Sequence, residues 1–137
     1  MYAETLGLLL GVEIRRTQQI WRQRMLQHPH GLSPTIEETI REYIEANLSR
    51  DITLSELAEL AGLSRFHFAH SFRRSMGLPP HQYLLQRRIE RAKELLARGT
   101  LPISEIATAV GFPGPSRLAR TFLRTTGMPL RQFKQQL

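Results

Sequence analysis

From residue 36 onward, apolar residues recur at intervals of three and four, the signature of helices with one buried face. Ile36, Ile40, Tyr43, Ile44 and Leu48 mark the first such face. That helix opens at Pro34 and Thr35, and Glu38 is placed to complete a capping box. Thr53 and Glu56 form a second T-x-x-E start, followed by an inner face of Leu54, Leu57, Ala58 and Ala61 that stops at Gly62. Ser64 caps a third helix running to Gly77, with Phe68, Phe72 and Met76 inward. Pro80 suits the first turn of a long helix to Arg98, striped by Leu85, Ile89, Ala92 and Leu96 and closed by Gly99. Then come a short helix of Ile103, Ile106, Ala107 and Val110 ending at Gly111, another anchored by Leu118 and Phe122 ending at Gly127, and a last one from Pro129 carrying Phe133.

In front of these, Leu6, Leu10, Ile14, Trp21 and Met25 define a helical face within residues 2–26, widened by Leu8, Leu9, Val12 and Ile20. HPHGLSP at 28–34 reads as a linker. No segment sustains period-two alternation. The expected fold is therefore all-α, with about seven helices from residue 35 plus an N-terminal helix. The expected organisation is an N-terminal helix and linker over 1–34 and a domain over 35–137.

The pattern repeats itself. Leu54, Ser55, Glu56, Leu57, Ala58 and Gly62 correspond to Ile103, Ser104, Glu105, Ile106, Ala107 and Gly111, and Ala69, Phe72, Arg74 and Gly77 correspond to Ala119, Phe122, Arg124 and Gly127. The offset grows by one between the two sets, so the second copy has an extra residue beside its turn. Each copy is a short helix, a glycine turn and a basic helix, the layout of a helix-turn-helix over 53–77 and over 102–127. Ala58 and Ala107 permit close helix crossing, and the turn glycines accept the left-handed backbone that a tight turn requires. The connecting helix, 80–98, is on the order of 28 Å long at 1.5 Å per residue. Successive major-groove faces are ~34 Å apart. A connector of that length suits two reading helices in neighbouring major grooves.

Charge points the same way. Lys and Arg outnumber Asp and Glu by 19 to 12, a net +7, which favours a polyanionic partner. Acids dominate 35–63 and bases dominate 64–98, and after residue 112 there are bases and no acid. Such segregation is the footprint of phosphate binding. With no cysteine there is no disulfide framework, thiol nucleophile or cysteine-ligated zinc. His67 and His70 lack a third ligand nearby, so no metal and no cofactor is expected. The longest apolar run, Leu6 to Val12, is too short to span a bilayer, and Glu4 precedes it where a signal peptide carries positive charge. The expected compartment is the cytoplasm.

Burying Phe68, Phe72 and Met76 leaves Phe66, Ala69, His70 and Arg73 on the opposite stripe of the first basic helix. Phe66 and Ala69 suit thymine methyl groups and His70 a base edge or a phosphate, the alternative for Phe66 being ordinary core packing. On the second basic helix, burying Leu118 and Phe122 leaves Ser116, Arg117, Arg120 and Arg124 outward. Arginine suits bidentate contact with guanine. Arg65, Arg74, Arg87, Arg88 and Arg124 are assigned to phosphates, with solubility as their alternative role.

LSELAELAGLS, HFAHSFRRSMGLPPHQYL, RIERAKELL, ISEIATAVGF and SRLARTF, in this order and spacing, resemble the DNA-binding domain of the AraC/XylS family of bacterial transcription regulators over residues 35–137. The resemblance implies a two-lobed, seven-helix domain on promoter DNA, with RNA polymerase as a further partner. It places Phe66, Ala69 and His70 at base-facing positions of the first unit and Ser116, Arg117 and Arg120 at those of the second. The chain departs from the family at His70, where arginine is frequent, at the PGP of 113–115, and at Leu130, where proline is common. Residues 1–26 look like the end of a preceding sensing or dimerising domain, which makes the chain either a C-terminal fragment or a short stand-alone regulator and allows a homodimer through that segment. An enzyme acting on nucleic acid is disfavoured by the missing cysteine acceptor, phosphate loop and carboxylate cluster. A protein-binding or membrane-surface module, using the apolar N-terminal helix, is the remaining alternative.

Overall fold

The computed structural model describes residues 31–137. The N-terminal helix expected over 2–26, and the start of the linker, lie outside the described residues. Seven helices follow: α1 (Pro34–Ala46), α2 (Leu54–Ala61), α3 (Arg65–Met76), α4 (Pro80–Arg98), α5 (Ile103–Ala109), α6 (Pro115–Thr126) and α7 (Leu130–Gln135). No strand occurs among the described residues. The chain divides into two units, the first covering 31–44 and Ile52–His81 of the described residues, the second Glu45–Asp51 and Gln82–Leu137.

In the first unit, α1 starts at Pro34 as the sequence suggests, but its cap is Ser33. Ser33 Oγ accepts the Ile36 N–H at 3.2 Å, and the Ser33 carbonyl accepts the Glu37 N–H at 2.8 Å. Proline without an N–H sits well in the first turn, so the residue before it becomes the cap and the expected Thr35–Glu38 box gives way to this one. Ile40 and Ile44 are buried. The capping box of α2 forms as expected: Thr53 Oγ1 accepts the Glu56 N–H at 3.1 Å while the Glu56 carboxylate accepts the Thr53 N–H at 3.2 Å. Glu56 also accepts the Tyr43 hydroxyl, which ties α2 to α1. Leu57, Ala58 and Ala61 are buried, but Leu54, in the first helical position, is 38% exposed. Phe68 and Phe72 are fully buried on the inner face of α3, their rings 5.5 Å apart. Burying each ring stabilises the unit by about 1.5–3 kcal/mol.

The second unit closes around Ile89, Ala92, Ile106, Ala107, Val110, Leu118 and Phe122. The inner face of α4 is wider than the expected stripe, because Leu84 and Leu95 are buried while Leu85 is half-buried. Phe112 and Leu130 seal the core, and the Phe133 ring packs 5.3 Å from that of Phe122. Leu130 thus has a clear use where the family resemblance suggested proline. Both α4 and α5 begin beside prolines, and Pro115 opens α6 as its first residue.

Candidate nucleic-acid interface

Each unit holds a helix-turn-helix whose turn is the same backbone device. In the first, the Gly62 N–H donates to Glu59 O at 3.1 Å and the Leu63 N–H to Ala58 O at 3.0 Å. In the second, the Gly111 N–H donates to Thr108 O at 3.1 Å and the Phe112 N–H to Ala107 O at 2.8 Å. Both glycines take positive φ, 73° and 96°, a region other residues enter at a cost. Two residues, Leu63 and Ser64, separate the first turn glycine from α3, and three, Phe112 to Gly114, separate the second from α6. The extra residue read in the sequence is located there.

On α3 the buried Phe68 and Phe72 turn the other side of the helix outward. Phe66 is 78% exposed, which rules out the core-packing alternative, and it stands edge-on to His67. His70, Arg73, Arg65 and Arg74 are exposed and Ala69 is half-buried. On α6, Ser116, Arg117, Arg120 and Arg124 are exposed and Ala119 is half-buried. So each helix brings its expected reading residues together on one solvent-facing stripe.

The cations of the two helices differ from those of α4. Arg65, Arg73, Arg74, Arg117, Arg120 and Arg124 make no ion pair among the described residues. Three of those on α4 are matched by acids: Arg91 with Glu94 at 2.8 Å, Lys93 with Glu90 at 3.1 Å, and Arg87 with Glu45 at 2.7 Å. Bonding to the Glu45 carboxylate raises the Arg87 pKa above its ordinary value. α3 and α6 thereby each present three arginines without an ion pair among the described residues, which favours a polyanion there.

Arg88 corrects the sequence reading. Expected on a phosphate or in solvent, it is only 6% exposed. Its Nε donates to Leu48 O and its Nη2 to Arg50 O, both at 2.9 Å. Burial lowers its pKa, opposed by the charge of Asp51. Buried and bonded to two carbonyls of its own unit, Arg88 does not face outward toward DNA. The helical period concealed this, since an arginine beside Ile89 reads as the polar edge of an apolar stripe.

Leu123 was also missed. It is 48% exposed and continues the Ser116–Arg120 stripe, bordering a groove with Pro129 and Arg131. The repeat itself carried the signal: extending the offset of the second helix pairs Phe66 with Ser116, His70 with Arg120, and Arg73 with Leu123.

Comparison with known proteins agrees with this geometry. A family model described as "Helix-turn-helix domain" matches residues 57–136. The "Probable transcriptional regulator LumQ" of Photobacterium leiognathi is 38% identical over 95 residues, which are 69% of this chain and 38% of that protein. Among solved structures, the C-terminal domain of the response regulator AraT from Geobacillus stearothermophilus is 31% identical with a TM-score of 0.70, covering 77% of this chain and 88% of that one. The DNA-binding domain of AdpA, a global transcriptional factor solved in complex with a target DNA, is 26% identical with a TM-score of 0.67, covering 73% and 90%. This chain spans less than two fifths of the length of the curated relatives it matches.

Proposed function

The chain belongs to the AraC-type helix-turn-helix family, and from that premise we propose that residues 35–137 are the DNA-reading domain of a bacterial transcription regulator, with no catalytic activity. The reader α3 contacts bases through Phe66, Ala69, His70 and Arg73. The reader α6 does so through Ser116, Arg117 and Arg120. Arg65, Arg74, Arg87 and Arg124 approach phosphates, Arg87 only by giving up Glu45. The observation that carries this reading is the pair of outward stripes, each braced by a buried face and each bearing arginines that make no ion pair among the described residues.

Phosphate contacts position a protein on DNA and base contacts specify the site. On α3 the apolar Phe66 lies ahead of His70 and Arg73, a set suited to thymine methyls and to one or two hydrogen-bonded edges. On α6, Arg117 and Arg120 favour guanine. One protein thus reads two dissimilar boxes. RNA polymerase is the further partner we infer for activation, and residues 1–34 are the segment through which we infer that two copies associate. The work is done in the cytoplasm, and no helix among the described residues is long and apolar enough to cross a membrane.

The test is titration of the chain against duplex DNA at several salt concentrations. Each neutralised phosphate contributes about −0.9 to the slope of log K against log salt, so affinity falls steeply as salt rises. Salt-insensitive binding, or none, would overturn the reading.

A further inference from the structure

Arg88 occupies an unusual place for an arginine that makes no ion pair among the described residues. Its guanidinium bonds the carbonyls of Leu48 and Arg50 at 2.9 Å and lies 5.7 Å from the centre of the Phe112 ring. Gly111 packs directly on it: a Cβ there would come within 2.7 Å of Arg88 Cζ and 2.5 Å of the Leu48 carbonyl oxygen. One planar cation therefore joins three things, namely the 48–50 segment, the turn glycine and the aromatic residue after it. All belong to the second unit.

That turn receives little help from its own helices. Pro102 stands at the N-cap of α5 and Gly114 at that of α6, and neither cap residue makes a side-chain hydrogen bond. In the first unit, by contrast, Thr53 and Ser64 cap both helices of the motif. A helix start fixed by a side-chain cap has its approach angle set locally. Where such caps are missing, the angle is set by whatever grips the turn. In the second unit the polar side chain packed on both Gly111 and Phe112 is Arg88.

We propose that Arg88 is the positioning residue of the second reader, gripping the Gly111–Phe112 turn so that α6 is aimed at its box. It touches no DNA and acts through the turn. The inference rests on the DNA-reading function above. It makes Gly111 a second member of the same device, because the guanidinium reaches the turn only where no side chain stands in its path.

The experiment uses a duplex enriched from a random pool by the full chain, prepared intact and with each box scrambled in turn. The box whose contribution Arg120→Ala removes is the one read by α6. Arg88→Met and Gly111→Ala, measured well below their melting temperatures, should each reduce the penalty for scrambling that box by about tenfold, the scale of one good base contact. The penalty for scrambling the other box should stay within about twofold of the wild-type value. Arg88→Lys, which retains a charged donor, should recover part of the loss, and it carries the test with Gly111→Ala if the methionine variant fails to fold. Folded variants with both penalties unchanged would make Arg88 a stabilising residue only and overturn the proposal. Equal loss at both boxes would overturn it as well. Failure of the pool to enrich any sequence would instead sink the DNA-reading function itself.

Discussion

At residues 62–63 and again at 111–112 the chain closes its turn with the same pair of hydrogen bonds, yet what surrounds each turn differs. The first motif is held by local chemistry: a Thr53–Glu56 capping box, a Ser64 cap, and a Tyr43 hydroxyl on Glu56. The second has proline and glycine at its helix starts and a buried arginine behind its turn. Their outward stripes differ too, Phe66, His70 and Arg73 against Ser116, Arg120 and Leu123. The two copies share the backbone device and differ in two things, how the device is braced and what it presents. The lesson is that turn geometry constrains sequence at a few positions, and the rest can be specialised for different DNA.

The largest effects should fall where the copies are alike. Phe72→Ala and Phe122→Ala each remove a fully buried ring and should cost about 3–5 kcal/mol of stability in denaturant titration. A marked inequality between them would show that one core is less closely packed. Next come the readers, where the copies differ. Arg120→Ala should cost about 1–3 kcal/mol on the target and little on random duplex. His70→Ala should cost less, since one imidazole offers fewer donors than a guanidinium. Equal losses on target and random DNA would place these residues on phosphates.

Smaller effects sharpen the contrast in bracing. Thr53→Ala and Ser64→Ala should each cost about 1 kcal/mol by thermal or urea unfolding. Gly114→Ser should gain a few tenths of a kcal/mol, because Gly114 has an extended backbone with open space where a side chain would go. A loss on that substitution would mean that the second motif needs its uncapped start. Smallest of all, Glu94→Gln breaks an exposed pair with Arg91 and should change stability by no more than about 0.5 kcal/mol.

Helix identity, the repeat and both outward stripes were legible in the sequence because each follows from spacing on a helix. Phe66 could be read outward once Phe68 and Phe72 were placed inward, and its 78% exposure agrees. Other features depend on tertiary contact and leave no periodic trace. Arg88 looked like a surface base because its partners are backbone carbonyls 38 and 40 residues away. Ser33 as a cap is masked in the sequence by Thr35 and Glu38, which have capping-box spacing two residues further on. The distinction between the cations of α4 and those of the readers likewise depends on which acids lie within reach, Glu45 being 42 residues from Arg87.

The central claim is that two copies of one device read two different boxes. Selection of bound sequences from a random duplex pool by the full chain tests it most directly. Enrichment of an asymmetric pair of dissimilar boxes, one losing its information content in Arg120→Ala and the other in His70→Ala, is the result expected. A symmetric pair of identical boxes, or a single box indifferent to both substitutions, would contradict it.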